Sequence, residues 1–238
     1  MRKGEVHTAP STGILASTLP VGSTVKLMEN GTAVEYLVVN QGIPENSSLY
    51  DASCDGTWLL RKYIPSERQW NTSNVNKYES SAINTWLNGE FFNALGSAEQ
   101  AAIKQVKIPY RKDGGSGGLN QSGANGLLCK IFLLSGYEVG FTTNDNSYFP
   151  VDGAKLSYFE SGSGTSANNK RIANFNGSAA LWWLRSPLTN GALSVWGVYS
   201  SGSYYNSNAS NSRGIRPALI LPSNALFDKT TMLLKGAK

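Results

Sequence analysis

Apolar and polar positions alternate first at Val25-Lys26-Leu27 and again along Val34-Glu35-Tyr36-Leu37-Val38-Val39, on either side of Glu29-Asn30-Gly31. Asn-Gly tolerates the positive φ of a tight turn, so these segments predict a β-hairpin. Thr57-Trp58-Leu59-Leu60-Arg61-Lys62-Tyr63 reads as a third strand, ended by Pro65. From Ser80 the period lengthens: Ile83, Trp86, Leu87 and Phe91 recur at three-to-four spacing and predict an amphipathic helix behind a serine N-cap. Ser97-x-x-Gln100 ahead of Ala101, Ala102, Ile103 and Val106 has the form of a capping box and predicts a second helix. Leu127 to Leu134 is a near-continuous apolar run that suits one buried strand holding Cys129. Trp182-Trp183-Leu184-Arg185-Ser186-Pro187, the Leu193/Val195/Val198 ribbon with Gly202 in its turn, and Gly214 to Leu221 complete the strand pattern. The sum is an α+β, loop-rich fold with two helices and a small, twisted, mostly antiparallel sheet.

Polar segments set the boundaries. Residues 1–20 are small and polar with Pro10 and Pro20 as punctuation, and read as a flexible tail or linker ahead of a single domain over residues 21–238. Asp113 to Gly126 is rich in Gly, Ser and Asn and reads as a mobile surface loop; no Gly-Lys-Ser/Thr follows, so it is not a phosphate loop. Thr142 to Gly177 carries few strand signals. No signal peptide is expected, because Met1-Arg2-Lys3 is followed by polar residues, and no run approaches a membrane span. Synthesis in a cytoplasm without membrane insertion is expected, with export, if any, by another route.

The net charge of +5 is dispersed, with no basic run, so a nucleic-acid partner is not expected. His7 is the only histidine and lies in the expected tail, which removes Ser-His-Asp and Cys-His mechanisms and a typical zinc set. Cys54 and Cys129 read as two buried thiols. No cofactor is expected; a structural calcium through Asp51, Asp55, Asp145 or Asp152 is the metal chemistry left open, without EF-hand spacing. Glu138 and Glu160 are the carboxylate pair a glycosidase would need, with no context to single them out. Arg185 and Arg216, each in an otherwise apolar strand, read as fold supports that bond loop carbonyls or a carboxylate.

One segment has the composition of a binding face. From Leu188 to Arg213 more than half the residues are Asn, Ser or Tyr. Tyrosine gives large contact area at low entropic cost, and Asn, Ser and Gly give adaptable hydrogen bonding. Tyr199, Tyr204 and Tyr205 are the candidate anchors, with Asn190, Ser194, Ser201, Ser203, Asn206, Asn208, Ser210, Asn211 and Ser212 as adaptable contacts. The same composition suits an ordinary polar hairpin equally well.

The bracket Trp182-Trp183-Leu184-Arg185-Ser186-Pro187 with Gly214-Ile215-Arg216-Pro217-Ala218-Leu219 resembles C-type-lectin-fold proteins of phages and gut bacteria, among them the variable proteins of diversity-generating retroelements. The similarity extends over Val21 to Leu221, including Tyr50 to Trp58 and Lys130 to Ser135. It implies a C-type-lectin-like fold, not an enzyme, whose diversified face binds a protein or glycan on a host or cell surface. The setting it implies is a phage tail, where such modules are often trimers, or another exposed surface. In these systems template adenines are miscopied, so Asn codons scatter to Ser, Tyr, Asp, Gly and Ala but not to Trp, Lys, Glu, Gln or Met. Between Ile172 and Phe227 there is no Lys, Glu, Gln or Met, and Trp196 is the one unreachable residue within the segment. Trp196 is therefore assigned to the scaffold with Trp182, Trp183, Arg185 and Arg216, and Leu193, Val195 and Val198 with them. The calcium motifs of animal C-type lectins are absent, and Cys54 and Cys129 do not sit where the related formylglycine-generating enzymes keep their cysteine pair. A carbohydrate-active or formylglycine-generating enzyme on the same scaffold, or a structural tail component, is the alternative.

Overall fold

In the computed structural model, which describes residues 13–45 and 47–237, Asn30 (φ 47°) and Gly31 (φ 76°) form the turn between strands Thr24–Glu29 and Thr32–Gln41. That hairpin is one edge of a five-stranded antiparallel sheet, continued by Thr57–Arg61, Ala218–Leu221 and Ile131–Phe132. A second five-stranded sheet orders Tyr204–Asn208, Ser194–Val198, Trp182–Pro187, Ser212–Gly214 and Glu67–Gln69. It is antiparallel except where Trp182 pairs with Gly214 in parallel. Neither sheet closes into a barrel. The architecture is mixed α+β, with few helices and mostly antiparallel sheets.

The predicted first helix is present as contiguous helical stretches Ala82–Trp86, Leu87–Phe91 and Phe92–Ala94, the middle one wound as a π turn. Its cap is Ser81, whose hydroxyl accepts the Asn84 N–H at 3.2 Å. Ile83, Leu87 and Phe91 are buried and Trp86 half-buried, as the stripe requires. The second helix, Ser97–Ala102, starts at Ser97, but no capping box forms: Gly96 is its N-cap and no side chain caps it. Gln100 turns instead to the Leu95 carbonyl (2.7 Å), and Glu99 buries its carboxylate against the Met28 N–H (2.9 Å). Val106 belongs to the following strand, Val106–Ile108.

Four further expectations change. Leu127–Leu134 is not one strand: Leu127–Cys129 pairs with Val106–Ile108, and Ile131–Phe132 joins the central sheet. Asn88 holds the break, its amide oxygen accepting the N–H of Lys130 and Ile131 and its nitrogen donating to the Ile131 carbonyl. Likewise Gly214 to Leu221 is split, Ser212–Gly214 in one sheet and Ala218–Leu221 in the other, with Arg216-Pro217 crossing between them. Residues 13–20 are not part of a flexible tail, because Gly13–Leu15 pairs with Ala225–Asp228 and Ala16 and Leu19 are buried. Gln41 ties both carbonyls down at 2.9 Å, while residues 1–12 of the tail expected over residues 1–20, with His7, lie outside the described residues. Finally, the Gly-rich stretch from Asp113 is not a free loop. It forms a hairpin, Tyr110–Lys112 with Leu119–Gln121, and its glycines serve close packing: a Cβ on Gly115 would lie 1.9 Å from the Leu188 carbonyl oxygen.

One continuous apolar cluster runs from Ala16 and Val25 through Trp58, Trp70 and Phe132 to Trp182, Trp183, Trp196 and Leu219. Strands of both sheets contribute to it, so the second sheet is held by the core of the first.

Candidate functional site

The Leu188–Arg213 segment is built around an antiparallel ribbon, Ser194–Val198 with Tyr204–Asn208, whose second strand is the outer edge of its sheet. Beside it in the sheet, every residue from Trp182 to Pro187 is buried. Indole rings pack apolar surface but need an acceptor for their N–H. Each finds a carbonyl: Trp182 at Arg171, Trp183 at Arg68 and Trp196 at Tyr148, at 3.0–3.1 Å. Trp196 also stacks on Phe149 with ring centroids 4.2 Å apart.

Arg185 is wholly buried and clamps Glu138 through two bonds of 2.6 Å, with further donation to the carbonyls of Leu133, Pro109 and Asp152. Glu138 in turn accepts from the Ser135 N–H and the Tyr50 hydroxyl, both at 3.0 Å. Burial alone disfavours the Arg185 charge, but the Glu138 carboxylate outweighs it and moves the guanidinium above its ordinary range. Glu160, the other half of the proposed acid pair, lies at the surface with Lys170 (3.2 Å). The two carboxylates are thus engaged separately, one in the core and one outside.

Asp152 completes this cluster. Its Oδ2 accepts the Ser186 hydroxyl at 2.7 Å, while Oδ1 is buried with no hydrogen-bond partner among the described residues. Burial pushes its carboxyl up to about 7, against the pull of Arg185 and the Ser186 hydrogen bond, with Glu138 adding to the rise. A raised acid binds its proton more tightly folded than unfolded, so its contribution to stability declines as pH climbs from the unfolded value of 3.8 through about 7. Asp152→Asn should therefore raise the melting temperature relative to the parent more at pH 8 than at pH 5. Equal shifts at both pH values in a calorimetric scan would show that Asp152 ionises normally.

The remaining candidates for chemistry are spread apart. Asp51 accepts the Ser53 N–H, and Asp145 caps the Thr142 turn. Among the described residues no three His, Cys, Asp or Glu are grouped to hold a metal ion, and the four aspartates named for calcium are not brought together. Cys54 and Cys129 are free and buried; burial pushes the Cys54 thiol up to about 12 and moves Cys129 upward as well. Neither is poised as a thiolate near neutral pH.

Of the predicted contact residues, Asn190, Tyr199, Ser201, Asn206, Asn208, Asn211 and Ser212 are exposed, and Ser194, Ser203, Tyr205 and Ser210 are half-buried. Tyr199 and Tyr205 form a ring pair 6.0 Å apart, and Arg213 donates to the Tyr205 hydroxyl at 3.0 Å. Tyr204 is not an anchor of this kind. It points to the other face of the strand and packs edge-on against Phe141, Phe149 and Trp196. Leu193 is 51% exposed and leaves the scaffold set, whereas Val195 and Val198 are fully buried. Arg216 is buried across the crossover, 5.1 Å from the Trp182 ring, and bonds the Arg61 carbonyl.

Three supports escaped the sequence reading. Asn76, buried, donates to the carbonyls of Gly191 and Ser194 and accepts the Gly115 N–H, fixing the loop before the ribbon. Arg171, in the helix Thr165–Arg171, donates to the Gly202 carbonyl at 2.9 Å and stacks on Phe141, fixing the turn at the ribbon's other end. Tyr148, 44% exposed, offers its carbonyl to Trp196 and to Thr189 and its ring to solvent beside the segment. No apolar period marks any of them; each is a polar residue whose partners come from elsewhere in the chain.

No curated protein and no solved structure matches the chain. The model of one family, described as "Domain of unknown function (DUF6273)", matches residues 55–223. That span holds the whole of the ribbon sheet, the buried Arg171, Arg185 and Arg216, and the Leu188–Arg213 segment. Covering more than half of the chain, the match shows that this protein belongs to the DUF6273 family.

Proposed function

We propose that this chain is a non-catalytic ligand-binding protein whose contact surface is made of the exposed side chains of the Leu188–Arg213 segment. The observation that carries this reading is the contrast across the ribbon. Every side chain from Trp182 to Pro187 is buried, and those of Trp182, Trp183, Arg185 and Ser186 are hydrogen-bonded into the core, while Asn190, Tyr199, Ser201, Asn206, Asn208, Asn211 and Ser212 stand exposed. Such a surface tolerates exchange of its contact residues without loss of the fold, the property a diversified binding face needs. Tyr148 at 44% and Leu193 at 51% exposure widen it with apolar contact area. In this reading the scaffold is C-type-lectin-like, of the kind displayed by variable proteins of diversity-generating retroelements. Its ligand is a protein or glycan on a cell surface, reached from a phage tail or another exposed site.

The test separates face from core. Labelled protein carrying Tyr199→Ala and Tyr205→Ala should lose at least tenfold in affinity for intact bacterial cells or for the responding features of a glycan array. Its melting temperature should stay within a few degrees of the parent. Tyr204→Ala should instead cost about 2 kcal/mol or more of stability, because it opens a gap against Phe149 and Trp196. Unchanged binding in the Tyr199/Tyr205 variant would refute the assignment of the face. A near-copy of the 182–217 coding sequence, differing mainly at adenines beside a reverse-transcriptase gene, is the expected genomic sign of diversification.

A further inference from the structure

A cleft of about 400 Å³ opens on a different part of the molecule, between Lys62-Tyr63 at the end of a central strand, the helix Thr165–Arg171 and the Arg216 crossover. Three cations line it: Lys62, Lys170 and Arg216. Lys62 is held by Glu35 at 2.9 Å and Lys170 by Glu160 at 3.2 Å, so each rim cation has its own carboxylate. Arg216 has none within ion-pair distance among the described residues. Only 1% exposed, it gives Nε to the Arg61 carbonyl and Nη2 to the Lys62 carbonyl, and Nη1 is left buried with no partner. Burial pulls its pKa down to about 10, with the Tyr158 hydroxyl opposing. A buried guanidinium without a counter-ion is costly, and this one forms part of a cleft wall within the size range of small-molecule sites.

The other lining groups narrow the anion. Tyr63 and Tyr158 each carry a lysine ammonium over the ring, at 5.4 and 5.5 Å from the centroid, which steadies two flat amphipathic walls. Asn169 and Asn174 add amides that can both donate and accept, suited to hydroxyl groups. A bare inorganic ion would use neither feature. We propose that this cleft binds an anionic sugar unit, its carboxylate or sulfate drawn to Arg216 between Lys62 and Lys170, its ring against Tyr63 and Tyr158. The unpartnered Nη1 of Arg216 can donate to either oxyanion. The site is independent of the Leu188–Arg213 face, and the failure of one leaves the other standing.

Calorimetric titration of the full chain at pH 7 and low salt with glucuronate, glucose 6-sulfate, glucose and inorganic sulfate tests it. Glucuronate or glucose 6-sulfate should bind at least tenfold more tightly than glucose or inorganic sulfate, and the affinity should fall as salt rises. Arg216→Lys should lose most of that binding. The Lys62→Ala/Lys170→Ala double variant, altered only at the rim, should fold normally and bind several-fold more weakly. The proposal is overturned if neither anionic sugar binds, if glucose binds equally well, or if the rim variant keeps full affinity. Inorganic sulfate binding as tightly as the sulfated sugar would leave an oxyanion site and remove the sugar. Should Arg216→Lys not fold, the rim variant and the ligand series decide.

Discussion

Arg185→Ala should destabilise the protein by about 3–5 kcal/mol, since it leaves the Glu138 carboxylate buried without its partner. The carbonyls of Leu133, Pro109 and Asp152 lose a donor in the same step, which places the expected value toward the upper end. Glu138→Gln keeps the shape but removes the charge and one of the two oxygens that accept from Tyr50 and Ser135, so it should cost nearly as much. Urea unfolding followed by tryptophan fluorescence reads both. A loss below about 1 kcal/mol for either variant would mean the pair behaves as an exposed one, contrary to its complete burial. The prediction reaches beyond stability. Arg185 joins the ribbon sheet to the Leu133–Asp152 region, and that region supplies Phe149 and the Tyr148 carbonyl on which Trp196 rests.

Arg171→Ala should have the second largest effect, about 2–4 kcal/mol, from acceptors left unpaired at Gly202, Val139, Glu160 and Gly162. Here the damage is directional. The ribbon turn is docked so closely on the helix Thr165–Arg171 that a Cβ at Gly202 would lie 2.0 Å from the Asn168 carbonyl oxygen, and its φ of +84° already excludes most side chains. Gly202→Val should therefore free the turn even with Arg171 in place. Amide hydrogen exchange should rise in both variants at Tyr199–Ser203 before it rises in the central sheet. Uniform loss of protection across both sheets would place Arg171 among general core residues instead.

What the sequence made legible was what a few neighbouring residues decide. The Asn30-Gly31 turn, the Ile83/Leu87/Phe91 stripe and the buried Trp182-Trp183 strand follow from local conformational preference and periodicity. The break at Lys130 was hidden because an apolar run has the same appearance whether it serves one sheet or two; the side chain of Asn88, far back in the chain, ends the first strand. The helix Thr165–Arg171 has no apolar stripe to announce it, since Ala167 and Arg171 are its buried residues. Gly115 shows the converse error, a glycine that composition assigns to flexibility and that close contact with Leu188 assigns to packing. Within the candidate face, composition picked out the segment but could not tell which tyrosine faces inward. Tyr204 and Tyr205 are adjacent in a strand and so point to opposite sides, and only the aromatic neighbours contributed by Phe141 and Phe149 decide which is which.

The parallel pairing of Trp182 with Gly214 brings the two ends of the intervening stretch side by side. The whole candidate face is thereby an excursion that leaves and re-enters the core at one doorway. The entropic cost of closing such an excursion grows only with the logarithm of its length, so its length is fixed by the docking of Gly202 on Asn168 and of Leu188 and Gly191 on Gly115, and not by closure.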